Sequence, residues 1–155
     1  MDPINLIRKK MIASGRTFEI SVSGNSMEPM FQDGDTIAIK HVPNYEVGDV
    51  VVFVYDHNIL VHRILKIEND NIFCKGDNSF RLEQVSLNEV MGKVDMVNGI
   101  KVGSFPRKLI RLSYRIGKIF EKNKNVEMTR NKFQYKKYKK IIGKLFRDNI
   151  REEEN

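Results

Sequence analysis

The chain of 155 residues contains one cysteine, Cys74, so no internal disulfide can form. Three histidines without a cysteine cluster do not make a structural zinc site, and neither a metal nor another cofactor is expected. A lone cysteine fits a reducing compartment. Long apolar runs are also missing. The longest, Val50 to Tyr55, has the length of a strand, whereas a bilayer span needs about 18 residues. The opening segment MDPINLIRKKMIASG carries Arg8, Lys9 and Lys10 at its middle, and no apolar stretch of the roughly 7–15 residues a secretory signal requires. These absences predict a cytoplasmic protein without a transmembrane segment, either soluble or peripheral on the inner face of the membrane. Neither an internal repeat nor a low-complexity linker is visible.

What the chain does have is enough apolar residue, 41%, for one ordinary core. Its net charge of +7 is unevenly spread. Residues 1–100 hold 10 basic and 14 acidic side chains, whereas residues 101–155 hold 17 and 6. A mildly acidic body therefore precedes a strongly basic tail, and only the tail argues for an anionic partner.

Asp2-Pro3 reads as an N-cap followed by a first-turn proline. Ile4, Ile7, Met11 and Ile12 recur at helical spacing up to Gly15, which predicts a short amphipathic helix. From Thr17 onward short β-rich runs alternate with turn residues: 17–22, 35–41, 48–55, 58–68, 71–75, 90–97 and 100–102. The run 48–55 is nearly all Val and Phe, as in a strand buried on both faces. Asn98-Gly99 is a tight-turn signal. The fold class is mainly β: a coiled antiparallel sheet or barrel, with a short N-terminal helix and a basic helical extension. Residues 1–103 form the expected β-rich domain and 104–155 the basic helical tail. In the tail Leu109, Leu112, Ile116 and Ile119 make one helical stripe. A second helix from about Asn131 aligns Tyr138, Ile141, Ile142, Leu145 and Phe146.

Between the first two strands lies Ser23-Gly24-Asn25-Ser26-Met27-Glu28-Pro29-Met30. Gly24 permits a tight turn and Pro29 stiffens its exit. Ser26 on such a turn can present its hydroxyl while neighbouring backbone N–H groups point at the same spot, which suits an acyl-transfer nucleophile. Taken alone, the segment reads better as a structural Ser/Asn/Gly turn. The candidate bases are His41, His57, His62 and the scattered lysines. His57 lies in the turn Asp56-His57-Asn58, and His41 ends a strand. His62 lies within Val61-His62-Arg63-Ile64, either as a half-shielded general base or as a core histidine bonded to backbone. Asp77, in Lys75-Gly76-Asp77-Asn78, follows the strand that should pair with that of His62, and hairpin pairing could bring it to the imidazole. Gly34-Asp35 and Gly48-Asp49 read as turns.

The order of these pieces is more telling than any one of them. Ser26-Met27-x-Pro29, Gly34-Asp35, Gly48-Asp49-Val50-Val51-Val52-Phe53, Val61-His62-Arg63-Ile64 and Lys75-Gly76-Asp77-Asn78 together resemble the type I signal peptidase family over roughly residues 17–97. Histidine before Arg-Ile is similar to the branch found in the endoplasmic reticulum, archaea and some spore-forming bacteria. The resemblance implies a serine endopeptidase with Ser26 as nucleophile, His62 as general base and Asp77 as the third catalytic acid. It also implies an oxyanion and substrate-binding turn at Gly24, Asn25, Ser26, Met27 and Pro29, with the Ser26 N–H as a donor. Gly24 stands where some members place a serine, so that second donor is missing. Related self-cleaving repressors use a serine–lysine pair and an N-terminal DNA-binding domain; His62 and the short N-terminal segment argue against that branch. The expected substrate is a precursor, leader or signal-like peptide.

Three uses suit the tail: packing on the core, attachment to an anionic membrane surface, or contact with nucleic acid or an acidic leader. No recognition motif supports nucleic acid. The alternative to an enzyme is a catalytically silent β-barrel that holds a peptide, membrane surface or nucleic acid through its groove and tail.

Overall fold

The computed structural model describes the backbone of residues 1–154 and the side chains of residues 1–147. Helix α1 spans Pro3–Ala13, and the Asp2 carboxylate accepts from the Asn5 N–H as its cap. The strands are β1 (Phe18–Ser21), β2 (Thr36–Lys40), β3 (Val50–Tyr55), β4 (Asn58–Glu68), β5 (Asn71–Lys75), β6 (Glu83–Ser86), β7 (Val90–Val97) and β8 (Ile100–Lys101). They form one sheet in the order β1-β2-β7-β3-β4-β5-β6, with β8 added to β7, and every pairing is antiparallel. Helices α2 (Arg107–Asn123), α3 (Val126–Arg130) and α4 (Phe133–Glu154) follow. The expected mainly β architecture with flanking helices is the one observed.

Sheet periodicity explains how one strand serves two cores. Val50 and Val52 of β3 join Ile12, Met27, Ile37, Ile39 and Val94 on one face. Val51 and Phe53 point the other way, into Ile64, Ile72, Cys74 and Val85. A third cluster ties the tail to the sheet: Leu65 and Phe105 pack with Leu109, Leu112, Ile116, Tyr138 and Ile142. The apolar stripes of α2 and α4 are thus largely spent on packing, while Ile119, Ile141 and Leu145 stay half-buried. Asp35 and Asp49 accept from the Gln32 and Glu46 N–H groups, so both Gly-Asp pairs are local turns. Strand β6 has no counterpart in the sequence reading, and it supplies a site residue. Among the described residues, no helix is long and apolar enough to cross a membrane.

Candidate active site

Ser26 lies on the turn between β1 and β2. Gly24 adopts a left-handed φ of +86°, and its N–H donates to the Asp33 carboxylate at 2.8 Å. Met27 is buried in the core below the turn, and its Sδ accepts from the Asp77 N–H at 3.3 Å. The Asn25 carbonyl accepts from the Glu28 N–H and the Asn78 side-chain amide, and the Ser26 carbonyl accepts from the Asn78 N–H. The turn is therefore tied to the β5–β6 loop, and Pro29 closes it half-buried.

The Ser26 Oγ lies 3.1 Å from His62 Nε2. His62 is buried on β4 with its ring edge-to-face against Phe53. Its other nitrogen, Nδ1, lies 3.1 Å from Oε2 of Glu83, which is also buried. In the tautomer protonated on Nδ1, that nitrogen donates to Glu83 and Nε2 accepts from the serine hydroxyl. A hydroxyl, an imidazole and a carboxylate in that order can activate the hydroxyl and stabilise the imidazolium that forms.

Asp77 does not take that place, and the expectation that it orients His62 is corrected here. Its two carboxylate oxygens accept from Arg63 Nε at 2.9 Å and Nη2 at 2.8 Å. Arg63 is fully buried, donates through Nη1 to the Gly48 carbonyl and stacks on Phe105. Strand register explains the difference. From the turn outward Glu68 faces Asn71, Ile67 faces Ile72 and Lys66 faces Phe73, a register that would continue to set Asp77 opposite His62. The pairing instead shifts between Ile64 and Lys66, so that Ile64 faces Cys74 and Arg63 faces Lys75. That one-residue bulge puts Gly76 across from His62 and leaves Asp77 on the Arg63 side of the sheet.

The same register admits Glu83. Cys74 faces Ile64 on one side and Glu83 on the other, so the three share a face with His62. Gly76 has no side chain to crowd His62 Nε2 and the Ser26 turn. A Cβ there would lie 2.5 Å from the Ser26 carbonyl oxygen and 3.1 Å from His62 Nε2. Glu83 was missed in sequence. Its signal is the alternation in Glu83-Gln84-Val85-Ser86, which sets the carboxylate on the same face as buried Val85. The other histidines stand apart: His41 is exposed beyond β2, and exposed His57 occupies the β3–β4 turn with φ +65°.

Lys75 is a second buried group that sequence reasoning passed over. Burial pushes its ammonium down to about 8, against the opposing pull of the Asp77 and Glu83 carboxylates. Its Nζ donates to the carbonyls of Gly76 and Ser79, and Tyr138 of α4 donates to the Asp77 carbonyl at 2.7 Å. Together they clamp the β5–β6 loop from the tail side. Burial pushes the Cys74 thiol far up, so it stays protonated and inert. No cluster of metal-ligating side chains occurs among the described residues.

Comparison with known proteins gives this geometry a context. The chain is 43% identical over 67 residues to the signal peptidase complex catalytic subunit SEC11 of Plasmodium falciparum (isolate 3D7), covering 39% of this chain and 36% of that protein. It is 32% identical over 105 residues to the subunit of the same name from Candida tropicalis (strain ATCC MYA-3404 / T1), covering 59% and 61%. It is also 32% identical over 95 residues to the LexA repressor of Oleidesulfovibrio alaskensis (strain ATCC BAA-1058 / DSM 17464 / G20), covering 57% and 45%. The chain thus spans less than two thirds of the length of each of these relatives. The likeness to signal peptidases read from the motifs is carried by both SEC11 proteins. The family model for Peptidase S24-like proteins matches residues 3–95, the stretch that holds most of the sheet, Ser26, His62 and Glu83, and the chain belongs to that family.

Proposed function

We propose that the protein is a serine endopeptidase that cleaves a precursor, leader or signal-like peptide through an acyl-enzyme. The observation that carries this reading is the continuous set of contacts from Ser26 Oγ to His62 Nε2 and from His62 Nδ1 to Glu83, each 3.1 Å long. His62 takes the serine proton as Oγ attacks the scissile carbonyl, and returns it to the leaving amine. Glu83 fixes the imidazole tautomer and offsets its positive charge. The Ser26 N–H serves as a donor to the developing oxyanion. Water, activated by His62, then releases the acyl group and regenerates the serine.

Asp77 acts one layer out. Its ion pair with Arg63, together with Lys75 and Tyr138, fixes the loop that places Gly76 against Ser26 and His62. Peptide substrates suit the family and the SEC11 relatives, whose names describe catalytic subunits of a signal peptidase complex. The test is mass spectrometry of candidate precursor peptides incubated with the protein and with Ser26→Ala. New termini that appear only with the wild type support the reading. Equal cleavage by both refutes it.

A further inference from the structure

Beside the Ser26 turn, a groove of about 340 Å³ runs between that turn and α4. This size falls in the usual range of ligand clefts, roughly 300–1,000 Å³. Asn78 lines it and is tied to the nucleophile turn, its backbone N–H donating to the Ser26 carbonyl. Pro29, Ile142 and Phe146 supply apolar wall, and exposed Lys139 and Arg147 stand on the α4 side. Glu28 is the one carboxylate in the lining. A second cleft that shares Pro29, Gln32 and Phe146 adjoins it and includes Asp35, Ile100 and Lys101.

The α4 side of this groove is cationic, facing Glu28 on the turn side. From Met128 to Arg147 the chain has eight Lys or Arg and no Asp or Glu. The apolar stripe of α4 is used in packing, but Lys139 and Arg147 are not, and among the described residues neither forms an ion pair. Lys139 also acts on the site itself, since its charge is one of the influences that lower the affinity of buried Lys75 for its proton. A cationic wall beside apolar side chains, next to the turn that carries the nucleophile, matches a peptide that carries carboxylates near apolar residues.

We propose that this groove binds an acidic segment of the substrate peptide on one side of the scissile bond, with Lys139 and Arg147 reading its carboxylates. The inference rests on the peptidase reading and adds to it a substrate class: peptides with Asp or Glu flanking the cut. A membrane surface is the competing occupant of the same cations. It fits less well, because the groove is concave and its apolar side chains line the interior.

The test is digestion of a mixed library of natural peptides by the wild type and by the Lys139→Glu/Arg147→Glu double variant, with cut sites read by mass spectrometry and Ser26→Ala as blank. The wild type should enrich Asp and Glu on one side of the cut. The double variant should lose that enrichment, and its kcat/KM on the best acidic peptide should fall about 25-fold, at about fivefold for each exposed charge pair. Exchanging the peptide's Glu for Lys should restore part of the loss. Cut sites without acid enrichment, or an unchanged profile in the double variant, overturn this inference while leaving the peptidase reading intact. Absence of any serine-dependent cut overturns both. Co-sedimentation with vesicles containing phosphatidylglycerol that the double variant loses while its cut profile is unchanged assigns the surface to membrane instead.

Discussion

Exchanging Glu83 for Gln while leaving Asp77 alone, and the reverse, separates a carboxylate that acts on His62 from one that holds the scaffold. The Glu83 oxygen sits 3.1 Å from His62 Nδ1 with both side chains buried. At an effective dielectric of about 20, a full charge pair at that distance is worth about 5 kcal/mol. The pair reaches that strength only when the imidazole is protonated, as it is in the transition state. Glu83→Gln keeps a similar shape but loses the charge, and its amide can favour the wrong tautomer. The expected loss is about 4 kcal/mol of transition-state stabilisation, or about 10³-fold in kcat, with little change in stability. Asp77→Asn instead breaks a buried bidentate ion pair with Arg63. It should destabilise the fold by about 3–5 kcal/mol and lower activity mainly by unfolding the protein. Initial cleavage rates alongside urea unfolding separate the two effects. Full activity in Glu83→Gln, or a large kcat loss in a normally stable Asp77→Asn, would refute the reasoning.

Gly76→Ala should lower kcat by about 100-fold in a folded protein, because the new Cβ, 2.5 Å from the Ser26 carbonyl oxygen, must push the nucleophile turn away; a wild-type rate would show that the turn yields freely. Tyr138→Phe strips the donor from the buried Asp77 carbonyl and should cost about 1–3 kcal/mol in urea unfolding, with no change expected if that bond is not formed in solution. Lys75 binds its proton less tightly in the fold, at about 8, than an ordinary lysine does, at 10.5. Its charging penalty is therefore fully present below pH 8 and is relieved as pH rises towards 10.5. Measured against Lys75→Met, the wild type should gain about 1 kcal/mol of relative stability between pH 7 and pH 9. A constant difference would mean that the ammonium is not buried.

The strands that the sequence made plain were those with strong alternation or a strong turn between them. The β4–β5 pair was bounded correctly at both ends because Asn69-Asp70 separates two apolar runs. Ser26 and His62 stand out in the sequence through the order of the five motifs rather than through either segment alone, and the fold sets them 3.1 Å apart. The third partner does not stand out, because it depends on register. A bulge between Ile64 and Lys66 leaves little trace in composition, yet it decides which acid meets the imidazole. Strand β6 went unread for a related reason: four residues, Glu83 to Ser86, are too short for a period-two signal to stand out. The tail's apolar stripes were visible, but what they pack on is a tertiary fact, and Tyr138 reaching the Asp77 carbonyl could not be seen from spacing.

The central claim is that Ser26 becomes acylated with His62 as its base. Reaction with an activated p-nitrophenyl ester, quenched in acid and mapped by mass spectrometry, tests it most directly, because fast acylation lets the adduct accumulate. The account predicts the acyl group on the peptide containing Ser26, absent in Ser26→Ala and formed at least 100-fold more slowly in His62→Ala, on the order of the usual general-base contribution. Acylation of Lys75 or another residue in place of Ser26, or of Ser26 at an unchanged rate without His62, would contradict it.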